Sequence, residues 1–172
     1  YLHHTKAKQP KTFKQELALL RKAGLNGCPG GQFNYSNSNY AILGQLIEQI
    51  TGEDWRTAMT RRVIMPHRFT ELGVIADKVS GDLVLANPAQ GKALNSAAPG
   101  AAGPIAASAK DMARFWRHLI SGEVVSRSAL NTMFAQLYPF PDGDNHYGLG
   151  VQLFDLDPPG GDSYYLGHLG GM

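Results

Sequence analysis

Tyr35-Ser36-Asn37 sets a phenol two residues from a carboxamide, inside the run "GQFNYSNSNYAILG" at residues 31–44. A phenol can give or take a proton, and a carboxamide both donates and accepts hydrogen bonds. Starting a helix requires no tyrosine there. The alternative is structural throughout, with Tyr35 as packing, Asn37 as a helix cap and Gly30-Gly31 as a tight turn. His168, in "GHLGG", is a second titratable group, although a lone histidine near a strand end often serves only as a polar edge. His3-His4 makes a poor metal pair, because adjacent residues on an extended chain point to opposite sides and no carboxylate follows at ligand spacing. Cys28, in "NGCPGG", has no histidine nearby to activate it, so a buried or inert thiol is expected.

The elements that would position these groups follow from periodicity. Thr12 and Gln15 form a capping-box pattern, and Phe13, Leu17 and Leu20 recur at helical spacing until Gly24. Leu43, Leu46, Ile47 and Ile50 form one face of a second helix, closed by Gly52 and started by a cap near Asn37–Asn39. A third helix is expected over 53–64 around Trp55, Met59 and Val63, stopping before Pro66. Residues 81–104 read as loop, a crossing between two lobes. Ser108 and Asp111 suggest another capping box, opening a helix with Met112, Phe115, Trp116, Leu119 and Ile120 on its apolar face and Gly122 at its end. Ser126 opens a further helix through Leu130, Met133 and Phe134. Tyr147, Leu149, Val151 and Leu153 then alternate as one half-buried strand, and "PPGGD" turns the chain into an antiparallel partner, "SYYLGH". Helices first and a hairpin last make the fold α+β.

Composition excludes several function classes. Forty-three per cent hydrophobic and 17% charged residues suit a globular chain. A net charge of +2 with scattered Lys and Arg offers no surface for nucleic acid or anionic membrane. One cysteine excludes an internal disulfide and a thiolate metal cluster, and no apolar run approaches the ~18 residues of a membrane span.

Five ordered segments carry a family resemblance. "PGGQFNYSNSNYAILGQLIEQITG" resembles the Tyr-x-Asn motif region of the penicillin-recognising serine hydrolases, which include class C β-lactamases, D-Ala-D-Ala carboxypeptidases and related esterases and aminopeptidases. "LHHT" at 2–5 is similar to that family's Leu-x-His-Thr, and "AAGPIAASAKDMARFW" to its Ala-Gly-Gly-x-x-Ser-Thr segment. "YGLGVQLF" and "YYLGHLGG" resemble the strand pair bearing its third motif. The resemblance spans nearly the whole chain and implies a β-lactamase/transpeptidase-like fold.

It also implies roles. A serine hydroxyl needs a base within reach and donors at the developing oxyanion. By resemblance Tyr35 is the proton shuttle, Asn37 holds the family's lysine and a substrate amide in register, and His168 stands at the Lys/His-x-Gly position. There it would orient the proton network or a substrate carboxylate. Gly170 keeps the strand edge bare for substrate, and Gly171 matches the residue whose N–H joins the oxyanion hole. A phenol titrates near pH ~10 in water, so Tyr35 as a base would need neighbouring cations such as that lysine. Histidine instead of lysine tilts the resemblance toward peptidases and esterases and away from class C β-lactamases. No cofactor or metal is implied; the partner is a small-molecule or peptide substrate, and the resemblance favours a periplasmic or secreted location.

Departures from the pattern matter too. No serine has a lysine three residues on; Ser108-Ala-Lys110 has the wrong spacing. "KAKQ" replaces the usual Ser-Gly after Thr5, and "IMPHRFTELGV" only loosely matches the family's Pro-Leu-Gly-Met stretch. The Ser-x-x-Lys motif lies upstream in the family, so the sequence reads as a fragment: a mainly helical lobe over 1–143, crossed at 81–104, and the start of a C-terminal antiparallel hairpin over 144–172. Tyr35, Asn37 and His168 are expected to line one cleft. Apolar surface on the helix at 39–51 implies an aggregation-prone chain, or one completed by an oligomer partner or a missing segment. The competing reading is a non-catalytic binding or scaffolding module derived from the same family.

Overall fold

The structure is a computed structural model, and it describes residues 12–75, 100–103, 105–141, 143, 145–155 and 163–169. Helix α1 (Phe13–Ala23) begins as a complete capping box: Gln15 N–H donates to Thr12 Oγ1, and Thr12 N–H to Gln15 Oε1 at 2.9 Å. Helix α2 (Asn37–Thr51) is capped by Ser36, whose Oγ accepts from Ser38 N, and it ends at Gly52 in the left-handed region at φ 70°. The cap expected near Asn37–Asn39 is thus Ser36, and Asn37 is the first residue of the helix. Helix α3 (Trp55–Met59) starts later than expected because the Asp54 carboxylate accepts from Arg56 N at 2.8 Å and fixes the cap there. It continues as a π turn over Thr60–Ile64.

Two compact units divide the chain, one comprising Tyr1–Leu25 and Ser36–Trp116, the other Asn26–Tyr35 and Arg117–Met172. In the first, strand β1 (Leu72–Val74) pairs antiparallel with β2 (Ile105–Ala107), Leu72 opposite Ala107 and Val74 opposite Ile105. Sequence periodicity misses both, since three-residue strands are too short to show alternation. Ile64, Phe69 and Leu72 form the core there, with Val74, Ala107 and Phe115 packed against it. Gly44 of α2 sits so close to a 3₁₀ turn at Gly100–Ala102 that a Cβ would stand 2.6 Å from that of Ala101 and 3.6 Å from the Trp55 ring. By contrast, the predicted apolar face of α2 lies open, with Leu43, Leu46 and Ile47 exposed and Ile50 at 83% exposure.

Helix α4 (Ala109–Ser121) keeps only half of its expected capping box. Asp111 N–H donates to Ser108 Oγ, but the Asp111 carboxylate turns away from the cap. It accepts from Glu71 N at 2.7 Å, Thr70 N at 2.9 Å and Arg114 Nη1 at 2.7 Å, at 1% exposure. The Glu71 amide above all, with Arg114 and the Thr70 amide, outweighs burial and holds this carboxyl below the usual carboxylate range. Met112 and Ile120, placed on the apolar face by spacing, are exposed.

The second unit carries α5 (Arg127–Ala135), capped by Ser126 Oγ accepting from Ala129 N at 3.1 Å, and a four-stranded antiparallel sheet. Its strands are β3 (Tyr138–Pro139), β4 (His146–Tyr147), β5 (Gln152–Asp155) and β6 (Tyr164–Gly167), in that spatial order. The single strand expected over 147–153 is instead a tight hairpin, with Tyr147 opposite Gln152 and His146 opposite Leu153. Gly150, at φ 75°, supplies the reversal, and Gly148 N–H donates to Val151 O at 2.8 Å. The alternation at 147–153 thus comes from glycines in a turn, not from a strand with two faces. The expected pairing with "SYYLGH" is present, Gln152 opposite Gly167 through Asp155 opposite Tyr164. The "PPGGD" turn, "LHHT", His3-His4, "KAKQ" and residues 81–99 of the expected crossing lie outside the described residues.

Candidate active site

The segment that delivers Tyr35 is shaped by a turn whose residues dictate it. Pro29 and Gly30 occupy its centre, Gly30 at φ 75°, and Gly31 N–H donates to Cys28 O at 3.0 Å. Proline followed by a positive-φ glycine is the signature of a type II turn. Tyr138 Oη donates to Gly30 O at 3.1 Å and ties this turn to β3. Of the two alternatives expected for Cys28, a buried or an inert thiol, burial does not hold: the residue is exposed, because it opens a glycine-rich surface turn.

Beyond the turn the chain is extended, and its aromatic residues pack on the sheet. Phe33 lies 4.4 Å from Phe140 and 5.4 Å from Tyr147, centroid to centroid. Tyr35, half-buried, lies 5.8 Å from both Tyr147 and His168. Tyr147 and His168 meet edge to face at 5.7 Å. Two groups separated by more than a hundred residues, Tyr35 and His168, are thereby brought together with a third ring between strands and loop.

Hydrogen bonds define the state of the imidazole. His168 Nδ1 is 2.8 Å from Leu169 O, and Nε2 is 2.9 Å from Tyr147 Oη. A carbonyl oxygen can only accept, so Nδ1 carries a proton. In the neutral ring Nε2 is then the acceptor, and Tyr147 O–H donates to it. Leu169 is also held through its N–H, which donates to Gln152 Oε1 at 2.6 Å, and Gln152 is itself buried at 6% exposure.

Asn37 belongs to the other unit, as the first residue of α2. Ser36 takes the cap, so the carboxamide of Asn37 is not spent on the helix end. Gly170 and Gly171 lie outside the described residues. Sequence reasoning missed Tyr147 and Gln152. The signal available was their register, since Tyr147 faces Gln152 and Gln152 faces Gly167, one residue before the histidine.

Comparison with known proteins adds an independent line. The family model described as Beta-lactamase matches residues 2–172. Among solved structures, a D-stereospecific amidohydrolase from Streptomyces sp. superimposes with a TM-score of 0.82 at 27% identity, over 99% of this chain and 52% of that one. A D-amino acid amidase from Ochrobactrum anthropi SV3 gives 0.81 at 20% identity, over 98% and 53%. A penicillin binding protein from Bacillus halodurans gives 0.70 at 22% identity, over 86% and 48%. The chain spans about half the length of these relatives.

Proposed function

The chain belongs to the β-lactamase family, and from that premise we propose that it is the proton-transfer portion of a serine hydrolase working through an acyl-enzyme. The nucleophile in this reading is the serine of a Ser-x-x-Lys sequence outside these 172 residues. Its Oγ adds to an amide, ester or β-lactam carbonyl as Tyr35, ionised beside that lysine, takes up the hydroxyl proton on its phenolate oxygen. The tetrahedral intermediate collapses, Tyr35 returns the proton to the leaving nitrogen or oxygen, and water then hydrolyses the acyl-serine. Asn37 supplies a carboxamide to hold the lysine and a substrate amide. The Gly171 N–H joins the oxyanion hole, and Gly170 leaves room for substrate beside it. His168 orders the proton network. The 27% identical D-stereospecific amidohydrolase favours an amide as the scissile group.

The observation that carries this proposal is the contact of Tyr35 with His168, 5.8 Å between ring centroids. Packing alone would explain Tyr35 against Tyr147, but it gives no reason for the only imidazole of the "GHLGG" segment to share that cluster.

The test is acylation. The 172-residue chain should remain unlabelled by a serine-directed fluorophosphonate and by a fluorescent penicillin, and the protein extended by its upstream coding segment should be labelled at one serine. In that protein Tyr35→Phe should slow acylation by roughly 10²- to 10⁴-fold, as loss of a general acid–base group does. Labelling of the short chain would mean a different nucleophile. An extended protein that no acylating probe labels would favour the binding-module reading.

A further inference from the structure

We infer that Tyr147 is a positioning residue for His168, engaging Nε2 of an imidazole whose Nδ1–H is held by the Leu169 carbonyl and standing between Nε2 and the rest of the site. The inference rests on the hydrolase reading above for its catalytic consequence, but not for its structural content.

The sheet register builds the arrangement. Tyr147 on β4, Gln152 on β5 and Gly167 on β6 form one row across three strands, so the side chains of the first two share a face. Gly167 leaves its place in the row without a side chain, and the chain continues directly into His168. The row therefore ends with two side chains reaching toward the residues that follow the third strand. Gln152 Oε1 accepts from Leu169 N, and Tyr147 Oη meets His168 Nε2.

The two contacts act on either side of the histidine. Gln152 accepts from the Leu169 N–H and so holds the peptide that links His168 to Leu169, while the Leu169 carbonyl, one peptide on, accepts from Nδ1 and decides where the ring proton sits. Tyr147 then engages the remaining nitrogen. The tyrosine can do this with a fixed hydroxyl because its ring is half-buried among Phe33, Phe140 and Tyr35, with centroids at 5.4, 6.2 and 5.8 Å. Rotating it away would break all three contacts. The hydroxyl also suits both states of the ring, since it donates to a neutral Nε2 and accepts from a protonated one.

A consequence separates two roles for His168. With Nδ1 bound to a carbonyl and Nε2 bound to Tyr147, neither nitrogen is presented to a substrate carboxylate. A proton reaching Nε2 must pass through the Tyr147 hydroxyl. Ordering the proton network is the role this geometry serves, and direct anion binding is not.

The experiment uses the full-length protein with ¹⁵N-labelled histidine at pH about 8.5, above the usual imidazole range. Long-range proton–nitrogen correlations, assigned to His168 by comparison with His168→Gln, report each ring nitrogen separately. The expected wild-type spectrum has a protonated Nδ1 and an unprotonated Nε2. Tyr147→Phe, which keeps the ring and removes the hydroxyl, should leave Nδ1 protonated but shift the Nε2 resonance toward that of an imidazole nitrogen without its hydrogen-bond donor, while the protein still melts cooperatively. In the same variant kcat for acyl transfer should fall, by roughly 10- to 100-fold on the scale set by the outer partners of metal-bound histidines, with KM within about twofold. A wild-type His168 carrying its proton on Nε2, or spectra unchanged by Tyr147→Phe, would overturn the inference; the first does not depend on how Tyr147→Phe folds. A changed spectrum with an unchanged rate would support the tether and overturn instead the role given to His168 in the hydrolase.

Discussion

Gly148→Ala is the most direct test of how the β4–β5 hairpin is seated. A Cβ at this position would press on the carbonyl oxygen of Met133 more closely than real Cβ atoms approach, and would stand 3.1 Å from Val151 Cγ1 and 3.4 Å from Leu137 Cδ2. The two side-chain methyls can yield by rotating. The carbonyl cannot, because Met133 lies within α5 and its oxygen accepts the Leu149 N–H at 3.0 Å. The hairpin must therefore lift from the helix. Losing that hydrogen bond costs about 0.5–1.5 kcal/mol, and overpacking strain adds about 1–3 kcal/mol. A total of about 1.5–4.5 kcal/mol corresponds to a melting temperature lower by roughly 3–18 °C in a domain of this size. Thermal unfolding followed by near-ultraviolet circular dichroism measures it, with Gly73→Ala as the control, since nothing lies within 4 Å of a Cβ there. A drop no larger than the control's would refute the reasoning.

Two further outcomes follow from the other unit. Gly44→Ala gains about 0.5–1 kcal/mol of helix propensity but places a methyl 2.6 Å from Ala101 Cβ, so the urea midpoint should fall, and Ala101→Gly should restore part of it in the double variant; a raised midpoint would refute this. The Asp111 carboxyl is lowered in the folded state, so its contribution is present above the unfolded carboxylate value of ~3.9 and is lost as pH falls through the lower folded value. Acid unfolding of wild type and Asp111→Asn should therefore differ most above pH ~4 and converge below it, and parallel curves throughout would refute the assignment.

The parts of this molecule that were legible in its sequence are those decided within three or four residues. Thr12 with Gln15, Ser126 with Ala129, and the glycines closing α1 and α2 set their own local geometry, and the structure repeats it. Asp111 shows where that logic stops. Its spacing from Ser108 fits a capping box, yet its carboxylate finds stronger donors some forty residues away at Thr70 and Glu71. The hairpin at 146–155 was misread for a related reason: alternation counts hydrophobic residues and ignores that glycine at every other place lets the backbone reverse. The nearness of Tyr35 and His168 was legible only through family resemblance, because no periodicity links a loop to a strand end so far along the chain. Tyr147 was not legible at all, since its partner is set by register across three strands rather than by any spacing in the sequence.

The bond from Tyr138 to Gly30, which joins residues 108 apart, also fixes an order of events during synthesis. Whatever the loop at 26–35 does while the chain is being made, it has no β3 to lie against until the ribosome has moved on by that distance. At ~5–20 residues per second the interval is roughly 5–20 seconds. The imidazole that Tyr35 meets is made later still. Through that interval Phe33 and Tyr35 are without their native aromatic neighbours, next to an α2 whose exposed face already carries Leu43, Leu46, Ile47 and Ile50. The nascent chain thus displays Phe33, Tyr35 and the apolar residues of α2 within eighteen residues of sequence well before it can complete the cluster, which makes this segment the natural place for a chaperone to hold it.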